Sequence, residues 1–292
     1  MQESLSLWIK GARPRTLPAA IAPVAVGTAC VSVEANATAN WSNAILALIV
    51  SLALQVAVNY ANDYSDGVRG TDDKRVGPLR LVGSGAKTAS AVKRAAFLSF
   101  GVAAIFGLIL ALLTSLWLLV VGVLCILAGW FYTGGKKPYG YFGLGEVFVF
   151  VFFGVVATTG TTFVIIEKLT ATSFTASLVV GALACALLAV NNLRDIDGDT
   201  LARKRTLAVR LGDKKARSFF VSLFVVALLA LFVLALSYPL ALLGLVGLGS
   251  AFTSIKRVRS GAVGSELISV LSMTGRTQIL TAITLSIGLI LS

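Results

Sequence analysis

The stretch Asn191-Asn192-Leu193-Arg194-Asp195-Ile196-Asp197-Gly198-Asp199 closes a long apolar run with three carboxylates, and a dense basic stretch follows at once. Asp195 and Asp199 stand four residues apart. A helix continuing through them would hold both carboxylates on one face, about 5–6 Å apart. Like charges at that spacing mildly destabilise a helix unless a cation neutralises them, and two converging carboxylates suit a divalent ion. A second cluster, Asn59-Tyr60-Ala61-Asn62-Asp63-Tyr64-Ser65-Asp66, also ends an apolar run, and Gly67, Gly70 and Asp72-Asp73 follow it. Asn62 and Asp66 repeat the four-residue relation, and the glycines let the chain turn so that Asp72 or Asp73 comes back toward them.

Long helices must stand behind such clusters. Of the 292 residues, 57% are hydrophobic and 13% charged, with a mean hydropathy of +0.90, against roughly a quarter charged in soluble domains. The composition predicts an all-α integral membrane protein, a single polytopic domain over residues 1–292. Nine spans are expected, at 16–33, 43–62, 92–113, 115–132, 146–166, 174–193, 218–236, 238–254 and 267–291. Each is near the ~20 residues that carry a helix across the hydrocarbon.

The formal net charge of +12 is compatible with nucleic acid until the charges are placed. Nearly all of the Lys and Arg residues fall in the N-terminal segment or in every second connection. That alternation is a membrane-topology signal, so no nucleic-acid partner is expected. It predicts a cytoplasmic N-terminus, an external C-terminus and an odd number of spans. Both acidic clusters then lie on the cytoplasmic face of the cell membrane, at the ends of spans two and six. Histidine is absent, which removes His-based acid/base chemistry and Ser-His-Asp triads. Cys30, Cys125 and Cys185 fall in apolar spans with no paired spacing, so neither a disulfide framework nor a zinc site is expected.

Four spans separate the two clusters, and a basic connection follows each. This pattern predicts a parallel repeat of four helices plus one, with the clusters facing each other. Carboxylates ringed by Lys and Arg describe a site for a metal-bound polyanion, because Mg²⁺ takes one or two carboxylates and completes its shell with phosphate oxygens and water. A diphosphate is the natural occupant, and the apolar bundle beneath could hold a greasy tail. The bland alternative is that loop cations set topology and helix-end acids are merely solvated. Two clusters at matching ends, each with Asn before Asp, weigh against it.

These residues resemble the aspartate-rich motifs of the UbiA superfamily of intramembrane prenyltransferases. NDxxDxxxD is matched by Asn62-Asp63-Tyr64-Ser65-Asp66, and DxxxD by Asp195 with Asp199. The last acid of the first motif would fall on Gly70, with Asp72 and Asp73 the nearest carboxylates. Three further stretches are similar to the 1,4-dihydroxy-2-naphthoate prenyltransferases within that superfamily: Arg13-Pro14-Arg15-Thr16-Leu17 with Pro18 and Pro23, the Asn62-to-Asp72 segment, and Tyr132-Thr133-Gly134-Gly135-Lys136-Lys137-Pro138-Tyr139-Gly140-Tyr141 running into Glu146. The resemblance implies a reaction in which a polyprenyl diphosphate and 1,4-dihydroxy-2-naphthoate give demethylmenaquinone in its quinol form, carbon dioxide and diphosphate. It implies Mg²⁺ held by Asp66, Asp72 or Asp73, Asp195 and Asp199. Asn62, Arg69, Lys74, Lys137, Tyr139, Lys204 and Arg205 are the expected diphosphate contacts.

Tyr132 is an expected acceptor contact, or one of several interfacial tyrosine anchors. Glu146 either favours the dipole at a helix start or takes a proton from the naphthol. Arg276 lies some nine residues into the last span and is expected to face the bundle interior and steer an anionic substrate. Otherwise the span begins near Thr274 and Arg276 marks the cytoplasmic edge. Other members of the superfamily act on acceptors such as 4-hydroxybenzoate, which stays the nearest alternative. An ion-coupled transporter is the alternative from another class. Carriers place their binding acids near the midplane in broken helices, whereas here the acids end spans on one side.

Overall fold

The computed structural model describes residues 2–34, 38–71 and 79–292. Among the described residues the chain is helical with no strand. Helix α1 (Gln2–Ala12) meets α2 (Pro18–Cys30) at an elbow bent by 53°. Pro14 and Pro18 interrupt the backbone ladder there, and Arg13 takes a left-handed φ of 53°. Next come α3 (Ser42–Val68), α4 (Ala89–Leu113) and α5 (Trp117–Phe131). One span, Gly145–Ile166, is built from α6 (Gly145–Val149), a π-helical stretch Phe150–Val156 and α7 (Ala157–Ile166). Helix α8 (Ala171–Arg194) leads through the short α9 (Ile196–Leu201) and α10 (Leu207–Leu211) into α11 (Asp213–Ala235). The chain finishes with α12 (Gly244–Gly249), α13 (Phe252–Arg259) and α14 (Ser265–Ile290).

Five of these helices are long and apolar enough to cross a bilayer, or seven if each bent pair is one span. The nine apolar runs of the sequence therefore do not become nine equivalent rods. Helix α5 has only 15 residues. Pro239 opens a 3₁₀ turn before α12, and α14 carries Arg276, Thr277 and Gln278 near its middle.

Helix α8 is the buried axis of one core, packed against α2, α11 and α14 through small residues such as Ala182, Ala186 and Ala189. Small side chains let membrane helices approach closely where lipid offers no hydrophobic drive. At the crossing with the π-helical stretch, a methyl group added to Gly154 would lie 2.5 Å from the Cα of Gly181, so backbone meets backbone there. A second core joins α3 to α4, with Leu81 from the connecting loop inserted among Ala57, Tyr60 and Val92. Thr88 and Thr170 cap α4 and α8 by accepting from the amides of Ala91 and Ser173. Both cores leave the C-terminal ends of α3 and α8 beside one cavity.

Candidate active site

That cavity measures about 1230 Å³, and both acidic clusters line it through Asn62, Asp66, Asp195, Asp197 and Asp199. Helix α3 runs unbroken through the first cluster to Val68, so Asn62 and Asp66 share its inner face. Asn62 accepts a hydrogen bond from the Thr133 hydroxyl at 2.8 Å. Asp66 is nearly fully buried and is met from three other segments. Tyr141 donates its hydroxyl to Oδ1 at 2.7 Å, Lys204 Nζ lies 3.0 Å from Oδ2, and Arg80 Nη2 lies 3.9 Å from the same oxygen. Burial and the adjoining Asp66 carboxylate push the Tyr141 hydroxyl well above the ordinary tyrosine range, so it stays protonated and donates.

The second cluster is built differently. Helix α8 stops at Arg194, and its axis breaks at Asp195, though Asp199 still donates its amide to the Asp195 carbonyl at 2.8 Å. Arg194 folds back so that Nε and Nη2 each lie 2.7 Å from an Asp195 oxygen, while Nη2 also reaches Asn191 Oδ1 at 2.9 Å. Its side chain is only 1% exposed. Arg203, at a φ of 56°, then reverses the chain, and the Lys204 amide closes onto the Asp199 carbonyl at 2.7 Å. The Lys204 ammonium, aimed across the cavity at Asp66, joins the two acidic ends and rests 4.8 Å from the Tyr141 ring centre.

Several residues of the sequence reading stand elsewhere. Asp72, Asp73 and Lys74 lie outside the described residues. Lys137 and Arg205 are exposed and do not line the cavity. Arg69 is exposed and spent on structure, because its guanidinium donates to the carbonyls of Thr133 and Gly135 and so pins the loop after α5 to the end of α3. Tyr139 lines the cavity with its ring, but its hydroxyl is tied to the Ala128 carbonyl at 2.8 Å. Tyr132 also lines it, and Gly140 passes so close to the Tyr132 ring and carbonyl that an added methyl would lie 2.6–2.9 Å from them. Glu146 is buried behind the wall, where its Oε1 accepts from the cavity-lining Asn192 at 2.9 Å.

Arg276 does not face the interior. It lies on the exposed side of α14. A methyl added to the neighbouring Gly275 would sit 3.4 Å from the Arg15 carbonyl and 3.6 Å from Pro18, which puts this turn level with the elbow between α1 and α2. Asp63, the motif aspartate not among the expected metal ligands, has a structural use: its oxygens accept the amides of Leu81 at 2.8 Å and Val82 at 3.0 Å. Sequence reasoning had no signal for that use. Arg80, Arg194 and Tyr141 are site residues that were not among the expected ligands. Arg194 was marked by its place beside Asp195, Tyr141 by its place in the Tyr132-to-Tyr141 stretch, and Arg80 by its place in the basic connection after the first cluster.

Among the described residues no three acidic or thiol side chains come together as a preformed metal cage. The donor set nevertheless fits Mg²⁺, a hard ion that uses one or two carboxylates and fills the rest of its shell with phosphate and water. A cationic ammonium already sits against Asp66 where such an ion would be drawn.

Below the rim the cavity turns apolar. Tyr132, Tyr139, Phe148 and Phe152 form a column with ring centres 5.6, 3.9 and 5.9 Å apart in succession. The lining continues down α3 to Ala47, nineteen residues from Asp66 and so roughly 28 Å along the helix axis. An anion-binding rim over a membrane-deep apolar shaft is a site for an amphiphile with a polyanionic head. The sequence profile of the UbiA prenyltransferase family matches residues 20–266. The chain belongs to that family.

Among its UbiA relatives, the 1,4-dihydroxy-2-naphthoate octaprenyltransferase of Mycobacterium tuberculosis is 50% identical over 280 residues, covering 96% of this chain and 95% of that protein. The 1,4-dihydroxy-2-naphthoate octaprenyltransferase of Escherichia coli is 35% identical over 301 residues, covering 98% and 95%. A UbiA homolog from Archaeoglobus fulgidus bound to GPP and Mg²⁺ superposes with a TM-score of 0.71 at 13% identity, covering 98% of this chain and 99% of that one. The UbiA fold thus extends over nearly the whole chain.

Proposed function

We propose that this protein transfers a polyprenyl group from a polyprenyl diphosphate to 1,4-dihydroxy-2-naphthoate, with loss of carbon dioxide, in menaquinone biosynthesis. One observation carries the reading: the rim of acids and cations around Asp66 and Lys204 opens onto the apolar shaft. The relatives named 1,4-dihydroxy-2-naphthoate octaprenyltransferase support the choice of acceptor, and the Archaeoglobus homolog's ligands support Mg²⁺.

In this reading Asp66, Asp195 and Asp199, with Asp72 or Asp73, hold Mg²⁺, which supplies positive charge to the leaving diphosphate. Lys204, Arg80 and Arg194 give up their carboxylate partners and take phosphate oxygens. Tyr141 remains a donor at the same place. The C–O bond breaks with its electron pair leaving on diphosphate, and the aromatic column excludes water and faces the allylic cation with its π surfaces. The naphthoate ring supplies the electrons of the new C–C bond, and the pair released by departing CO₂ restores its aromaticity.

The long tail stays in the shaft and in lipid, at about 0.8 kcal/mol per buried CH₂. The charge alternation supports a rim on the cytoplasmic side of the cell membrane. It fits nine crossings in one domain, as four repeated helices twice over with a ninth.

The test is purified protein in detergent with Mg²⁺, a radiolabelled polyprenyl diphosphate and a panel of aromatic acceptors. Prenylated naphthoate product is expected. Product with 4-hydroxybenzoate but none with the naphthoate would overturn the acceptor.

A further inference from the structure

Helix α3 carries more polarity than a diphosphate site needs. Ser51, Gln55, Asn59, Asn62 and Asp66 follow one another at intervals of four, four, three and four, and all line the cavity. At 1.5 Å per residue, Asn59 and Gln55 lie about 10 and 16 Å below Asp66 along the axis. Polar groups at such depth in a membrane bundle are expensive and mark function by default.

The hydrogen bonds fix how these two amides point. Asn59 Nδ2 donates to the Ala12 carbonyl at 2.8 Å and to Thr16 Oγ1 at 3.0 Å. Gln55 Nε2 donates to the same hydroxyl oxygen at 3.0 Å, while that hydroxyl spends its own proton on the Arg13 carbonyl at 2.9 Å. Asn59 cannot be flipped without setting its oxygen against the Ala12 carbonyl, and Gln55 keeps its nitrogen toward Thr16 as long as that hydroxyl donates to the Arg13 carbonyl. With the amides so turned, both side-chain oxygens are acceptors on cavity-lining residues, and the hydrogen bonds of the two side chains among the described residues run only from their nitrogens.

An acceptor in this position selects its ligand by chemistry. Diphosphate brings no proton to it, and a prenyl tail brings none either. A hydroxylated aromatic ring does. The elbow at the top of this wall adds Lys10 and Arg15, both lining the cavity, as cations for a ring carboxylate. We propose that Gln55 and Asn59, oriented by Thr16, bind the hydroxyl groups of the aromatic acceptor. The proposal rests on the prenyl-transfer reading above and assigns this wall to the acceptor, leaving the aromatic column to the prenyl chain.

The test uses the full chain in detergent. Gln55→Met keeps the length and removes the acceptor oxygen. Binding of 1,4-dihydroxy-2-naphthoate without prenyl diphosphate, followed by equilibrium dialysis, is expected to weaken roughly five- to ten-fold, the worth of one neutral hydrogen bond. The KM for the acceptor should rise by the same factor, and the KM for prenyl diphosphate should hold within about twofold. In the wild-type chain the 1,4-dimethoxy naphthoate should bind at least about fivefold more weakly than the diol. Equal binding of ether and diol overturns the proposal without any variant, and an unchanged acceptor KM in Gln55→Met shows that the oxygens meet only water. A raised prenyl diphosphate KM with the acceptor's unchanged gives the wall to the donor instead. Should the wild-type chain prenylate a different hydroxylated aromatic, the acceptor named above falls, and Gln55→Met is read on that compound.

Discussion

The two acidic ends share a cavity but are held by different kinds of contact. At the end of α3, Asp66 is reached by Tyr141, Lys204 and Arg80, residues 75, 138 and 14 positions away in the chain, so its surroundings exist only when the whole bundle is assembled. At the end of α8, Asp195 is clasped by its own neighbour Arg194, and the reversal at Arg203 closes locally on Asp199. One end is a tertiary junction and the other a folded-back strap. Lys204 connects them, because its backbone belongs to the strap and its ammonium to the junction. Loading a diphosphate then means exchanging side-chain partners at Asp66 and at Asp195, while the backbone reversal at Arg203 keeps its shape.

The junction should be the less forgiving of the two. Asp66→Asn removes a carboxylate that two cations and a phenol converge on, and turnover is expected to fall by about a thousand-fold or more. Single-turnover assays with saturating prenyl diphosphate measure it, and a variant keeping a tenth of wild-type turnover would dissolve the distinction. Lys204→Met comes next, with an expected loss near 10²-fold in kcat/KM for the prenyl diphosphate. Arg194→Met should cost on the order of 10-fold, because Asp195 stays in place while one phosphate donor is lost. An Arg194→Met loss exceeding that of Lys204→Met would mean that the strap, not the junction, carries the diphosphate.

The difference between the ends also explains what could be read from the sequence. Carboxylate spacing and hydropathy were enough to place Asp66, Asp195 and Asp199 at helix ends beside apolar spans, since both signals are local. The choice among twenty-five cations was not local. Lys204 enters the cavity and the adjacent Arg205 does not, because a single left-handed residue at 203 decides which side chain turns inward. Arg69 looked like a phosphate ligand by proximity, yet its guanidinium is taken by the carbonyls of Thr133 and Gly135 in the loop after α5. Asp63 lies between two residues that line the cavity but points out of it, toward peptide amides that only tertiary folding delivers. The polar run Ser51-Gln55-Asn59-Asn62-Asp66 was open to inspection as a helical stripe, and its apolar surroundings hid it.

Asp63 sharpens the comparison from the structural side. Its carboxylate holds the loop that presents Arg80 to the junction, and Gly67 lets that loop approach until an added methyl would lie 2.5 Å from Val82. Asp63→Asn keeps the size and loses one acceptor, a cost of about 1–3 kcal/mol for the buried amide left unmatched. The expected result is a lower melting temperature and a KM for prenyl diphosphate raised severalfold, with the Mg²⁺ concentration for half-maximal rate unchanged. A large shift in that Mg²⁺ requirement would add Asp63 to the metal set.

The smallest effect is expected at Arg276. An arginine facing lipid at the bilayer centre would be costly, roughly 2.5–3.5 kcal/mol on insertion scales, but the neighbouring Gly275 stands level with the elbow between α1 and α2, where the polar rim of the cavity begins. Arg276→Ala therefore removes an exposed charge that does not line the cavity. Both Michaelis constants and kcat should stay within about twofold, the range expected of surface changes. A rise in the acceptor's KM alone would instead show that α14 carries charge into the site, and that the cavity has a third charged wall beyond the two ends compared above.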